Sequence, residues 1–234
     1  MTKTKEIIAA ARTENRTFLL EHEAKTIMQE YKIPVTKFLV AKTEDEVVEA
    51  AEKISYPVVI KVLSPDVIHK SDFGAIKLNL RTAEEVREAF REIIANVRDK
   101  DPDARIMGII VQEFAKQGVE IIIGSLIDKQ FGGVLLFGLG GIFVEVLKDV
   151  SFRVVPITPY DAKEMIAEIK GYPILTGIRG KEACDIDAIV HILLQVSKLI
   201  TDYPEINQLD LNPIFSYPKG AKCVDARIIL EEKT

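Results

Sequence analysis

Apolar and polar positions along the chain switch between two periods, and the switches mark out the elements. Ala24, Ile27, Met28 and Tyr31 recur at helical spacing and predict a helix over 18–31 that stops before Pro34. Val35 to Val40 predicts a strand. Thr43 followed by Glu46 is a capping-box pattern, and Val47, Ala50, Ala51 and Ile54 give the next helix one apolar face. Tyr56 to Leu63 is an apolar run bounded by Pro57 and Pro65, in which Lys61 alone is charged; it predicts a buried strand. Ala75 to Leu80 alternates apolar and polar, as a half-buried strand does. Thr82 with Glu85 is a second capping-box pattern, opening a helix that buries Val86, Ala89, Phe90, Ile93, Ile94 and Val97. Strands are predicted at 106–114, 119–126 and 134–137, followed by a glycine-rich turn at Gly138–Gly141 and the run Ile142–Leu147. A short strand at 154–157 and helices at 159–169 and 186–200 come next. Two final strands, 208–215 and 222–230, are joined by a turn holding Pro218 and Gly220. Helix and strand do not alternate strictly, which predicts an α+β fold in two lobes. The expected division is an arm or helix over 1–17, one lobe over 18–112 and a second over 113–234.

Composition narrows the function. With 36 Asp and Glu against 31 Lys and Arg, the net charge is −5, which implies no nucleic-acid or anionic-membrane surface. Two cysteines without close spacing fit a reducing, cytoplasmic setting rather than a disulfide framework. No apolar run approaches the ~18 residues of a membrane span. The run Ile7–Ala11 is too short for a signal-peptide core.

A lysine inside a buried strand costs free energy unless it meets an anion or reaches water. Two readings of Lys61 therefore stand: it snorkels out from an edge strand, or it meets a phosphate under the loop that follows. That loop, Ser64–Gly74, holds Asp66, His69, Lys70, Ser71 and Asp72. A lone loop histidine is usually solvated, but beside these charges His69 is equally placed for proton or phosphoryl chemistry. His22 and His191 fall in predicted helices and read as structural or exposed. In the last hairpin, Asp210 and Asn212 are two apart and share one face, while Leu209 and Leu211 face the other way. Asp225 and Arg227 are also two apart. If residues 216–221 form the loop, Phe215 faces Lys222, Asn212 faces Asp225 and Asp210 faces Arg227. An amide oxygen and carboxylates then converge, which is oxygen-donor chemistry suited to Mg²⁺. The other reading is a surface face with an Asp210–Arg227 ion pair, which contributes little. Gly138–Gly141 matches neither a Walker A motif nor a dinucleotide-binding fingerprint. The sequence shows no His/Cys metal cluster and no nucleophile-elbow serine.

Several segments together resemble a known family. Leu20–Lys25 through Ile33-Pro34-Val35, then Tyr56–Lys61, resemble the opening lobe of an ATP-grasp domain. His69–Gly74, Phe137–Glu145 and Leu209–Pro213 narrow the resemblance to the β subunit of ADP-forming acyl-CoA (acetyl-CoA) synthetases, in the superfamily of succinyl-CoA synthetase. The resemblance covers nearly the whole chain. It implies an ATP-grasp fold holding ATP between two α+β lobes. It also implies the reversible conversion of acyl-CoA, ADP and phosphate to free acid, CoA and ATP through an acyl phosphate and phosphohistidine. A separate α subunit carrying the CoA site and its own active-site histidine is implied, in an α2β2 assembly. Carried over by position, Lys61 contacts ATP phosphates, Glu113 lies in the segment beside adenine, and Glu120 contacts the ribose. Ser71, Gly74 and Arg227 join this nucleotide-binding set. Asn212 and Asp225 match Mg²⁺ ligands. Asp210 matches a glutamate that steadies a phosphohistidine, one carbon shorter here. Where succinyl-CoA synthetase has a glycine-rich loop over the nucleotide, this chain has His69-Lys70-Ser71-Asp72, which fits the acetyl-CoA type, with His69 in the phosphoryl relay. Two other readings remain at this point. One is an ATP-grasp ligase joining a carboxylate to an amine, and the other is a nucleotide-sensing module without catalysis.

Overall fold

The computed structural model describes residues 2–67, 70–141, 148–178, 180 and 182–232. The chain forms two compact units. One is continuous, Thr36–Lys116; the other joins Met1–Val35 to Gln117–Thr234.

Residues 1–35 carry α1 (Lys3–Thr13) and α2 (Glu21–Glu30). The apolar stripe of each helix supplies Ile8, Ala11, Ala24, Ile27 and Met28 to a core shared with Ile121, Phe137, Leu193 and Ile214. The main-chain N–H of Leu19 donates to Ile228 O at 2.9 Å, tying this start to the end of the chain. These contacts correct the expected division. Residues 1–35 belong with the C-terminal part, not with the lobe over 18–112.

The continuous unit contains β1 (Phe38–Ala41), α3 (Glu44–Ile54), β2 (Val58–Leu63), β3 (Ile76–Leu80), α4 (Ala83–Lys100) and β4 (Gly108–Glu113). Its antiparallel sheet has the order β1-β4-β2-β3. Alternation on the strands sends Val58, Ile60, Val62, Ile109 and Val111 into a core with Val47, Ala51, Val86, Ile93 and Val97 from α3 and α4. The Thr43–Glu46 box forms: the Glu46 N–H donates to Thr43 Oγ1 at 3.3 Å, and Glu46 Oε2 accepts from the Thr43 N–H at 3.2 Å. At α4, Thr82 Oγ1 accepts from the Glu85 N–H, but Glu85 reaches back to the N–H of Arg81 instead. β1 starts three residues later than expected, because Val35 bridges Cys223 in the other unit's fold.

The second part of the discontinuous unit contains β5 (Val119–Asp128), β6 (Gly132–Leu139), β7 (Val150–Val154), α5 (Pro159–Glu168), α6 (Tyr172–Leu175), α7 (Ile186–Asp202), β8 (Ile206–Ser216), β9 (Ala221–Cys223) and β10 (Ala226–Leu230). The sheet order is β10-β8-β5-β6-β7, with β9 also paired to β8. Leu209, Leu211, Ile121, Ile123, Leu135 and Phe137 face the helices, and the other face carries Asp210 and Arg227. The strand expected at 154–157 lies at 150–154; Pro156 has no N–H to give to a ladder. Gly138 and Leu139 are strand residues rather than turn. A Cβ on Gly138 would sit 2.8 Å from Asp149 O, so glycine lets β7 approach. The run Ile142–Leu147 lies outside the described residues.

Candidate functional site

Lys61 sits in the fourth position of β2, and β2 lies between β4 and β3, with Lys61 paired to Ile110 on one side and Ile76 on the other. It is not on an edge strand, so the snorkelling reading fails on topology. The residue is 3% exposed. Alternation places it on the sheet face away from α3 and α4, level with Val59, Leu63, Ile110 and Gln112, all buried. A cationic side chain buried on a central strand costs free energy unless opposite charge or hydrogen-bond acceptors meet it. We expect Lys61→Ala to weaken MgADP binding by about 1.5–3 kcal/mol, the scale of a charge-assisted hydrogen bond. Calorimetry on the folded variant tests this, and unchanged affinity would return Lys61 to a structural role.

The loop after β2 is fastened on both flanks. Upstream, Asp66 accepts from the Arg105 guanidinium at 2.7 and 3.0 Å and from the Arg105 main-chain N–H at 2.8 Å. These bonds hold its carboxyl down at about 2. Both oxygens of Asp66 are thus engaged by Arg105. Downstream, the Gly74 N–H donates to Ser71 O, Asn96 Nδ2 donates to Gly74 O, and Lys100 Nζ donates to Asp72 O while lying 5.7 Å from the Phe73 ring centre. Gly74 has φ +63°, a backbone conformation that favours glycine, and a Cβ there would push on Asn96 Nδ2 at 2.8 Å. Ser71 and Gly74 therefore serve the loop's own geometry through main-chain bonds. His69 lies outside the described residues.

The last hairpin bears out the expected register. Phe215 pairs with Lys222 and Asp210 with Arg227, and the Asn212 N–H donates to Asp225 O at 3.3 Å. The loop is tighter than expected, since Ser216 still pairs with Ala221 and the Tyr217 N–H closes the turn on Gly220 O. The expected second strand is broken at Val224–Asp225 into β9 and β10. The break has a cause in β8. Ile121 pairs with Ile214 and Ile123 with Leu211, so Asn212 and Pro213 together face the single residue Ile122. This bulge resets the alternation from Leu209 and Leu211 to Ile214 and Ser216. It leaves Asn212 and Asp225 opposite one another at the kink, on the face that also bears Asp210.

Beside the pair, Gln208, Asp210, Arg227 and Ile229 line a recess of about 110 Å³. Gly124, level with Asp210 on β5, puts no side chain there. The protein around Asp210, and next the Asp225 carboxylate, push its carboxyl above the ordinary range; Arg227 offsets part of this. Among the described residues, no group of three or more His, Cys, Asp or Glu side chains gathers to hold a metal. Asn212 and Asp225 fit an ion that takes one amide oxygen and one carboxylate from protein and the rest from phosphate and water, as Mg²⁺ does.

Glu113 ends β4 with its side chain spent: Oε1 accepts from the Lys37 N–H at 2.8 Å, and its own N–H donates to Lys37 O. Side chain and N–H of Glu113 are thus both engaged in joining β4 to Lys37. Glu120 lies second on β5. Its carbonyl accepts from the Gly140 N–H at 2.8 Å, and its carboxylate approaches the Gly141 Cβ position to 3.5 Å. The sequence reading missed Arg105, which holds Asp66, and Gln208 and Ile229, which share the recess. The period-2 spacing of Gln208 and Asp210 carried a signal for the former of this last pair.

A sequence profile described as an ATP-grasp domain matches residues 10–230. The β subunit of acetate–CoA ligase (ADP-forming) I from Pyrococcus furiosus is 52% identical over 228 residues, covering 97% of this chain and 98% of that relative. Acetate–CoA ligase (ADP-forming) I from Archaeoglobus fulgidus is 48% identical over 211 residues, 90% of this chain but 31% of that longer relative. Acetyl-coenzyme A synthetase 1 of Ca. Korarchaeum cryptofilum, solved with coenzyme A, Ca-AMPCP and HgCl⁺, superposes with a TM-score of 0.95 at 52% identity, covering 97% of this chain and 100% of that one. Another structure of that enzyme, with a TM-score of 0.92 at 50% identity and the same coverage, holds coenzyme A, acetyl-coenzyme A and a phosphorylated phosphohistidine segment. The chain belongs to the ATP-grasp family and, within it, to the β subunits of ADP-forming acetate–CoA ligases.

Proposed function

We propose that this chain is the nucleotide-binding half of an ADP-forming acyl-CoA synthetase, converting acetyl-CoA, ADP and phosphate reversibly to acetate, CoA and ATP. The observation that carries the reading is the bulged hairpin, which sets Asn212 against Asp225 on the same face as Asp210 in a chain of this family. Lys61 meets phosphate charge, and the segment at Glu113 lies beside the base. Asn212 and Asp225 hold Mg²⁺, whose contribution is to neutralise charge on the phosphate oxygens. The phosphoryl group reaches ADP from an imidazole nitrogen: the P–N bond breaks, a P–O bond forms to the β-phosphate, and the ring recovers its proton. His69 is the carrier. Of the three histidines, His22 is half-buried on α2, where burial pushes its pKa down, and His191 on α7 contacts Lys32 O at 3.1 Å. Asp210 steadies the phosphorylated ring.

The partner is an α subunit with the CoA site and its own histidine, in an α2β2 assembly. The β-subunit name of one relative supports a partner subunit, as does the longer chain of another, of which the matching region is about a third. No helix among the described residues is long and apolar enough to cross a membrane. The purified chain alone is expected to make no ATP from acetyl-CoA, ADP and phosphate, and to do so once the α subunit is added. Robust synthesis by the single chain would overturn the two-subunit reading.

A further inference from the structure

The Asp225 carbonyl takes two donors. One is the Asn212 N–H across the hairpin, and the other is the Cys223 thiol, 3.0 Å away. Cys223 is fully buried, and its own N–H donates to Pro34 O at 2.8 Å, while Val35 bridges it in parallel. Pro34 and Val35 are the last residues before the chain leaves this unit. The chain's return is fastened to the same hairpin. Val119 pairs with Ser216, and a Cβ on Gly118 would meet Ser216 O at 2.5 Å and the Tyr217 ring at 2.9 Å. One continuous path of bonds thus runs from Pro34 through both ends of Cys223 to Asp225 and on to Asn212.

We propose that Cys223 is a positioning residue for the Asn212–Asp225 pair, linking cation binding there to the fastening of the Pro34–Val35 segment. The inference rests on the reading of that pair as cation ligands. Opposite the bulge, the Asn212 N–H donates to Asp225 O and the Val224 N–H to Pro213 O, and the Cys223 thiol adds a further donor to the Asp225 carbonyl at the break between β9 and β10. A thiol is a weak donor, but in a dry interior it has no water to compete with it. Partners bonded directly to a metal ligand commonly change its affinity by about 10–100-fold; Cys223 acts one step further out, through the Asp225 main chain. By reciprocity, an ion drawing Asp225 and Asn212 together strengthens the Cys223–Pro34 bond.

The test is a Mn²⁺ titration of the full chain with ADP, read by electron paramagnetic resonance, on Cys223→Val, Cys223→Ala and Cys223→Ser. Valine fills the core but donates nothing, whereas serine donates. Valine is expected to weaken Mn²⁺ binding by about tenfold, the lower end of that range, with serine within about twofold of the parent. Parent-like affinity in a folded valine or alanine variant overturns the proposal, as does equal loss in serine. Amide exchange on the unmodified chain needs no variant: Mg²⁺ with ADP should slow exchange of the Cys223 N–H as well as the Asn212 N–H, and no change at Cys223 also overturns it. Asn212→Ala in the same titration separates the two readings. If it binds Mn²⁺ like the parent, the cation pair itself is wrong; if it fails while Cys223→Val does not, only the positioning role is.

Discussion

His69→Ala will abolish ATP synthesis by the two-subunit enzyme and leave acetyl phosphate formation on the α subunit intact. A phosphoryl group released into water is lost to hydrolysis, so it has to travel bound to a carrier. Neutral imidazole is a good nucleophile near pH 7, and phosphoimidazole gives its group up readily. The described residues on either side of 68–69 are fastened in place. The Arg105 clamp on Asp66 holds one flank, and Lys100 and Asn96 hold the other through Asp72 O and Gly74 O. Lys70 and Asp72 follow the histidine in sequence, one charge of each sign. Incubating the chain alone with γ-labelled ATP should give an acid-labile, base-stable label on residue 69. ATP demonstrably bound without that label would count against the relay.

Asn212→Ala and Asp225→Ala should each lower turnover at fixed Mg²⁺ by tens of fold, roughly the 2–3 kcal/mol lost with a charged contact, and raise the Mg²⁺ needed for half-maximal rate. The double variant should be little worse than the worse single one. Two ligands of one ion share a single interaction, and removing the second costs less once the first is gone. Strictly additive effects would mean that the two side chains serve different ends. The Mg²⁺ dependence separates this from a structural role, because a hairpin that merely packs poorly loses turnover at every Mg²⁺ concentration.

Much of this site was legible before any coordinates, for a physical reason. Period-2 spacing places Asp210 with Asn212 and Asp225 with Arg227, and a short antiparallel turn fixes which faces which. The bulge escaped, because nothing in Leu211-Asn212-Pro213-Ile214 says how many residues the neighbouring strand will set against it; that is decided by β5. Lys61 was ambiguous for the same kind of reason. A strand's own sequence does not record whether it lies at an edge, and only the order β1-β4-β2-β3 excludes snorkelling. The unit boundaries were missed because α1 and α2 carry ordinary apolar stripes that would fit either core. What assigns them is pairing with Ile228, Cys223 and the α7 face, hundreds of residues away in the case of Leu19 and Ile228. Cys223 gave no signal, since a buried cysteine reads as a small hydrophobe.

The division of the chain also sets an order in time. As it leaves the ribosome, Thr36–Lys116 is complete and can close its sheet from contacts within itself. The first 35 residues have to wait. Their sheet lacks β8, which lies between β10 and β5, until residues 206–216 emerge, and β5 keeps one bare edge until then. Because closing that sheet joins segments far apart in sequence, its folding is the slow step and the period of greatest exposure to aggregation. The hairpin that carries Asn212 and Asp225 is thus the last piece of this sheet to be made, and its arrival joins β10 to β5 and sets those two residues opposite one another.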